Sequence, residues 1–185
     1  MKINTSTGLL ETARQVSSPN FDDRPQENDF DLIVIHNISL PPGEFGGPWI
    51  ENLFTNKLDP NHHPYFAEIH QMEVSSHVLI RRDGEIVQFV PFHKRAWHAG
   101  KSSYQGRERC NDFSVGIELE GADDVEFTLE QYMQLANVIN SLCQSYEKLT
   151  TQRLTGHSDI APGRKTDPGP AFDWSKLMQL LGKAN

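Results

Sequence analysis

Cysteine is scarce in this chain: 185 residues hold only Cys110 and Cys143, and their separation matches no metal-ligand spacing. Two cysteines are too few for a disulfide framework, so no bridge is expected and a reducing compartment suits both thiols. Long apolar runs are missing as well. Residues 1–10 lack the apolar stretch of an export signal, and no later segment approaches bilayer length, so a cytoplasmic protein with no membrane association is the expectation. Positive charge is in deficit, with 17 Lys plus Arg against 25 Asp plus Glu and a formal net charge of −8. That balance argues against sustained binding to a phosphate backbone, hence against a nucleic-acid partner, and favours a soluble surface. Internal repeats and low-complexity tracts are absent, and nothing in the pattern calls for an obligate protein partner.

What is present fits one domain with room for a real hydrophobic core. Residues 14–30, rich in Ser, Pro, Asn, Asp and Arg, read as an irregular lead-in wrapping the surface. The run Leu32-Ile33-Val34-Ile35 reads as a strand buried on both faces, with His36 and Asn37 at its carboxyl end, the edge where open α/β sheets place binding residues. Pro48 can start a short helix carrying Trp49, Ile50, Leu53 and Phe54. His62 and His63 are adjacent, so their rings diverge, and with His70 and His93 they read as loop residues. Residues 78–90 form a hairpin turning at Asp83-Gly84. Ala96-Trp97-His98-Ala99-Gly100 is a loop whose small residues suit a cleft wall.

In Ser114-Val115-Gly116-Ile117-Glu118-Leu119-Glu120 the apolar residues share one face, while Gly116, Glu118 and Glu120 share the other. A partly buried carboxylate in such a strand has a raised pKa and becomes a candidate proton carrier. Thr128 to Gln131 has capping-box form. Leu129, Tyr132, Leu135, Ala136, Ile139, Leu142, Cys143, Tyr146 and Leu149 then recur at helical spacing. Asp173 can cap a last helix that Gly182 ends.

The chemistry concentrates between Thr155 and Pro170, where glycine and proline keep a histidine, a lysine and two aspartates out of regular structure. Two histidines with one carboxylate, leaving a coordination position open, form a recurrent hydrolytic zinc set. His36, His157 and Asp167 fit it if the loop folds back, although among eight histidines His77 or His98 could replace His36. Hydrolysis also needs a base and a charge to steady the oxyanion. Glu118 is the better candidate for the first, ahead of Glu120, and Lys165 is the candidate for the second.

Several blocks in order carry a resemblance: Ile33-Val34-Ile35-His36-Asn37, Val74-Ser75-Ser76-His77-Val78-Leu79-Ile80, Ala96-Trp97-His98-Ala99-Gly100, the stretch from Cys110 to Gly121, and that from Thr155 to Gly169. From about residue 30 onward the chain resembles the AmpD-type N-acetylmuramoyl-L-alanine amidases of the amidase-2, peptidoglycan-recognition-protein superfamily. The resemblance implies an α/β fold with a mixed central β-sheet flanked by α-helices. It divides the chain into residues 1–29 as a lead-in packed on the domain and residues 30–185 as the catalytic domain. It implies Zn2+ held by His36, His157 and Asp167, with Glu118 as catalytic glutamate and Lys165 as oxyanion stabiliser. Tyr65 matches a family tyrosine near the site, and Asn37, Trp97, His98, Ala99 and Arg107 match residues that contact sugar and peptide. The implied reaction cleaves the amide between the lactyl group of 1,6-anhydro-N-acetylmuramic acid and L-alanine, a small-molecule muropeptide substrate met in cytoplasmic peptidoglycan recycling. A non-catalytic wall-fragment binder and an exported wall amidase are the competing readings. A lost ligand would mark the first, an export segment the second. Residues 40–75 are where a cover over the site could lie.

Overall fold

A strand that is apolar on both faces needs cover on both, and the run from Leu32 finds it inside a six-stranded mixed sheet. The computed structural model describes residues 1–27 and 29–182. In chain order the strands are β1 (Ile3–Asn4), β2 (Leu9–Leu10), β3 (Arg14–Gln15), β4 (Phe21–Asp22), β5 (Leu32–Ile38), β6 (Val78–Ile80), β7 (Ile86–Gln88), β8 (Arg95–Ala96), β9 (Ser103–Tyr104), β10 (Arg107–Glu108), β11 (Ser114–Glu120) and β12 (Leu154–Gly156). The helices are α1 (Trp49–Phe54), α2 (Pro64–Ile69), α3 (Leu129–Ser145), α4 (His157–Ile160) and α5 (Trp174–Gly182). The main sheet runs β12-β5-β11-β6-β7-β3. Its pairs are parallel except for the antiparallel β6–β7 hairpin expected at Asp83-Gly84.

Alternation along the central strands separates two cores. Ile33 and Ile35 of β5 and Val115, Ile117 and Leu119 of β11 join one core with the buried faces of α3 and α5. Leu32 and Val34 pack on the opposite side with Ala99, Cys110, Phe113 and Ile160. Beside them, α1 and α2 pack on Leu79, Val87 and Phe89. That second side holds the candidate cleft, so β5 and β11 present their even-numbered residues to it.

Thr128 and Gln131 complete the capping box of α3: the Thr128 hydroxyl accepts from Gln131 N–H at 3.1 Å and Gln131 Oε1 accepts from Thr128 N–H at 3.1 Å. The apolar stripe and the helix do not coincide at their ends. Leu129, in the first turn, is exposed, and Leu149 is buried beyond the helix because the chain turns back at Tyr146. Asp173 Oδ1 accepts from Lys176 N–H at 2.9 Å as the cap of α5. That helix runs through Gly182, the last described residue, so the stop expected there lies outside the described residues.

The lead-in is more ordered than its composition suggests. Val16 N–H donates to Gln88 O at 2.9 Å and Ser18 N–H to Phe89 O at 3.1 Å, so β3 extends the main sheet by covering the open edge of β7. Farther on, β4 pairs with β8, and the buried Arg24 guanidinium donates to the carbonyls of Phe92, Asn111, Asp112 and Ser114. Turn-forming residues masked these two-residue strands, since so short a strand carries no periodicity. Cys110 and Cys143 are free, as expected. Among the described residues no helix is long and apolar enough to cross a membrane.

Candidate metal centre and catalytic cleft

Strand register brings the principal side chains together. Glu118 of β11 is the Cα partner of His36 on β5, and Gly156 of β12 is the partner of Ile35 on the other side of β5. His157 follows immediately and opens α4 at the carboxyl end of β12. The loop from there to Asp167 folds back, as the glycines and prolines allow: Ser158 N–H donates to Asp167 O at 2.9 Å. Gly169 holds the return at φ +80°, and a Cβ there would lie 2.3 Å from Asp123 Cα, so no other residue fits this turn.

Three ligand atoms converge as a result. His36 Nδ1 lies 2.9 Å from His157 Nδ1 and 3.1 Å from Asp167 Oδ2, and His157 Nδ1 lies 3.0 Å from the same oxygen. Both rings are buried and the Asp167 side chain is 13% exposed. His157 Nε2 faces Ala99 O at 3.2 Å; a carbonyl only accepts, so Nε2 carries a proton, and in the neutral ring Nδ1 keeps its lone pair. Burial lowers the His36 pKa to about 4, so its ring is neutral at pH 7. Burial alone would raise Asp167, but the neighbouring His157 and His36 rings outweigh it and hold the carboxyl below its ordinary range. Two imidazoles and a carboxylate, packed this tightly and largely dry, form a donor set that a divalent cation would complete.

Five of the other six histidines are otherwise engaged. His77 Nδ1 accepts from Gly116 N–H at 3.0 Å and its Nε2 donates to Lys94 O at 3.0 Å, leaving no lone pair for a metal. His98 stands behind His36, not beside it, with Nδ1 3.0 Å from His36 Nε2. His62 packs on Trp49, His63 accepts from Tyr65 N–H as the cap of α2, and His70 Nδ1 donates to Ala67 O.

The two strand glutamates differ in their partners. Glu120 is buried in an ionic cluster, accepting from Arg81 at 3.2 Å, Gly46 N–H at 2.7 Å and Arg82 N–H at 3.2 Å. Glu118 is also buried, yet its Oε2 has no hydrogen-bond partner among the described residues. Burial, with the charge of Asp167 adding to it, pushes the Glu118 carboxyl well above the usual carboxylate range, against the pull of Lys165. A carboxylate kept free of partners beside a candidate metal set can exchange a proton with a reacting group. Lys165 is exposed and lines the same cleft.

That cleft, of about 290 Å³, is lined by Glu118, His157, Lys165 and Asp167 together with Leu40, Pro42, Tyr65 and Ile69. Residues 40–75, where a cover could lie, supply much of the lining. Asn37, Trp97 and His98 also line it. Asn37 Nδ2 is held by Asp123 at 2.7 Å and by Pro168 O at 3.0 Å, and Trp97 Nε1 donates to Asp22 at 3.3 Å. Ala99 is fully buried and contributes its carbonyl to His157 and Arg164. Arg107 lies on β10, outside the cleft lining, bound to Asp29 and stacked 4.0 Å over the Phe113 ring. Reading the sequence missed Asn111, whose Oδ1 accepts from His98 N–H at 3.1 Å and Ala99 N–H at 2.7 Å, and Ser114, which touches His98 at 3.2 Å. The available signal was a serine opening a strand otherwise buried throughout.

Comparison with known proteins agrees with this fold. The family model described as N-acetylmuramoyl-L-alanine amidase matches residues 26–170. The 1,6-anhydro-N-acetylmuramyl-L-alanine amidase AmpD of Citrobacter freundii is 63% identical over 174 residues, covering 94% of this chain and 92% of that one. A crystal structure of a selenomethionine AmpD derivative superposes with a TM-score of 0.94 at 61% identity, covering 98% of this chain and 99% of that one. The Escherichia coli amidase AmiD, in complex with anhydro-N-acetylmuramic acid-L-Ala-D-gamma-Glu-L-Lys, superposes with a TM-score of 0.60 at 28% identity, over 86% of this chain and 60% of that one. A mixed sheet flanked by helices, a cleft over the carboxyl ends of β5 and β11, and this likeness along nearly the whole chain lead to one assignment: the protein belongs to the N-acetylmuramoyl-L-alanine amidase family, and within it to the AmpD type.

Proposed function

We propose that this protein is a zinc-dependent amidase that hydrolyses the bond between the lactyl group of 1,6-anhydro-N-acetylmuramic acid and L-alanine in muropeptides, in cytoplasmic peptidoglycan recycling. The observation that carries the reading is the convergence of two imidazole nitrogens and a carboxylate oxygen next to a buried glutamate with a free oxygen. The substrate follows from the name of the Citrobacter freundii relative at 63% identity and from the ligand in the AmiD complex.

His36 Nδ1, His157 Nδ1 and Asp167 Oδ2 would hold the ion. Bound there, zinc would supply acidity to a water molecule and draw electron density from a carbonyl. Glu118 accepts a proton from the attacking water as the water oxygen bonds to the lactyl carbon. Lys165 steadies the negative charge on the carbonyl oxygen, and Glu118 returns the proton to the alanine nitrogen as the C–N bond breaks. The products are a lactyl carboxylate and a peptide with a free amine. Tyr65, Trp97 and Asn37 line the space for sugar and peptide.

Mass spectrometry of a purified 1,6-anhydro-muropeptide incubated with zinc-loaded protein, beside a chelator-treated sample and intact sacculi, tests this. Chelator-sensitive release of free peptide from the small fragment, with little from sacculi, is the expected result. Binding without cleavage, or efficient release from sacculi, would overturn it.

A further inference from the structure

We propose that His98 and Ser114 form a hydrogen-bonded relay that sets the tautomer of His36, which makes His98 a positioning residue for the metal centre and not chiefly a substrate contact. The proposal rests on the zinc reading above for what the relay serves, but its geometry stands alone. It begins at Cys110 O, which accepts the Ser114 hydroxyl hydrogen at 2.5 Å. Two oxygens that close need a hydrogen between them, and a carbonyl has none to give, so the Ser114 hydrogen is committed there. Toward His98 Nε2, 3.2 Å away, Ser114 Oγ can therefore only accept. The His98 proton sits on Nε2, and in a neutral ring Nδ1 is then the acceptor. That atom lies 3.0 Å from His36 Nε2, so His36 must donate from Nε2, and its lone pair is left on Nδ1. Nδ1 is the atom that faces His157 and Asp167. Each link dictates the next, and the chain ends with the ligand lone pair aimed into the metal set.

The fold holds the relay in place from two further directions. Asn111 Oδ1 accepts the backbone N–H groups of His98 and Ala99, fixing where the ring starts. Gly116 leaves space for it: a Cβ there would lie 2.4 Å from His98 Cγ, so the glycine in the middle of β11 is the seat of the imidazole. Ala99 O performs the matching service for His157, so both histidines present Nδ1 because a fixed acceptor holds each Nε2–H.

The test compares zinc dissociation constants, by competition with a chromophoric chelator, for the wild type and for His98→Ala, Ser114→Ala and His98→Asn. Long-range 15N–1H NMR of the metal-free, histidine-labelled wild type reads the His36 tautomer directly. The expected result is Nε2–H on His36 and zinc binding weakened roughly 10- to 100-fold by His98→Ala and by Ser114→Ala. His98→Asn should lie nearer the wild type, because its side-chain oxygen can replace the Nδ1 acceptor. If His98→Ala does not fold, Ser114→Ala carries the measurement with one atom removed. Nδ1–H on His36 in the wild type would overturn the relay. So would unchanged zinc affinity in the variants with only KM raised, which would return His98 to substrate binding. A wild type that binds no zinc would instead fell the metal reading together with this one.

Discussion

Glu118 and His36 are register partners on adjacent parallel strands, with both side chains emerging on the cleft side of the sheet. One strand supplies a proposed metal ligand and its neighbour the proposed base, so their spacing is built into the backbone ladder and does not depend on a loop. Glu118→Gln preserves side-chain volume but cannot take a proton. Turnover of the anhydro-muropeptide should fall by about 10²–10⁴ while zinc content stays that of the wild type. Steady-state kinetics together with metal analysis of the same sample decide it, and near-normal turnover with full zinc removes Glu118 from the role of base.

The same carboxyl predicts a pH-dependent stability. Burial first, then the charge of Asp167, pushes its pKa well above the ordinary 4.5. Between 4.5 and that raised value the folded metal-free protein holds a proton that the unfolded chain releases, so this group's contribution to stability falls as pH rises through the window. Below 4.5 both states are protonated and the cost vanishes. Metal-free Glu118→Gln should therefore melt higher than the metal-free wild type at pH 7, with the difference gone by about pH 4. Paired thermal melts in chelator across this range test it, and an offset independent of pH would contradict it.

The central elements were legible because their residues obey one dominant rule. Leu32 to Ile35 is apolar throughout, and burial on both faces followed; the alternation from Val115 to Leu119 put Glu118 on the face opposite the helical core. His157 and Asp167 could be paired once the intervening glycines and prolines allowed a return. What escaped were contacts between segments far apart in sequence. Nothing near Arg24 indicates that four carbonyls from residues 92 to 114 surround its guanidinium, and nothing near Ser114 indicates an imidazole above it. Choosing Glu118 over Glu120 on strand position was possible, but the physical difference, that Arg81 occupies one and nothing occupies the other, needed the fold.

Arg81 gives a prediction about stability alone. Its guanidinium joins Glu120, 2% exposed, to Glu51 at 2.6 Å, and Glu51 in turn binds Arg14 at 2.7 Å. Removing the cation leaves the Glu120 carboxylate buried without its ionic partner, although two backbone N–H donors remain. Arg81→Leu should lower unfolding free energy by roughly 3 kcal/mol, and Arg81→Leu with Glu120→Gln should recover part of that loss. Denaturant titrations of the two single variants and the double variant measure the coupling. Strict additivity would mean that the pair does not act as a unit.

Lys165 and Arg164 are adjacent cations on one loop with separate tasks. The Arg164 guanidinium donates to Ala99 O at 2.6 Å and Lys101 O at 2.7 Å, so its hydrogen-bonding head is committed to holding the loop against the segment that also orients His157. Lys165 is exposed in the cleft, and its backbone N–H is secured to Ala161 O at 3.1 Å. Only Lys165 has a head group available for the charge that develops on the substrate carbonyl. Lys165→Ala should leave stability within about 0.5 kcal/mol of the wild type. It should lower kcat by about 10²–10³ with KM little changed, as expected for a contact made chiefly in the transition state. Arg164→Ala should instead weaken the loop and zinc binding together, because the Ala99 carbonyl then loses one of the two donors that fix it opposite His157. Measuring kcat, KM and zinc affinity for both variants separates the roles. A Lys165→Ala enzyme that loses only KM would make this lysine a substrate anchor, leaving the oxyanion to other groups.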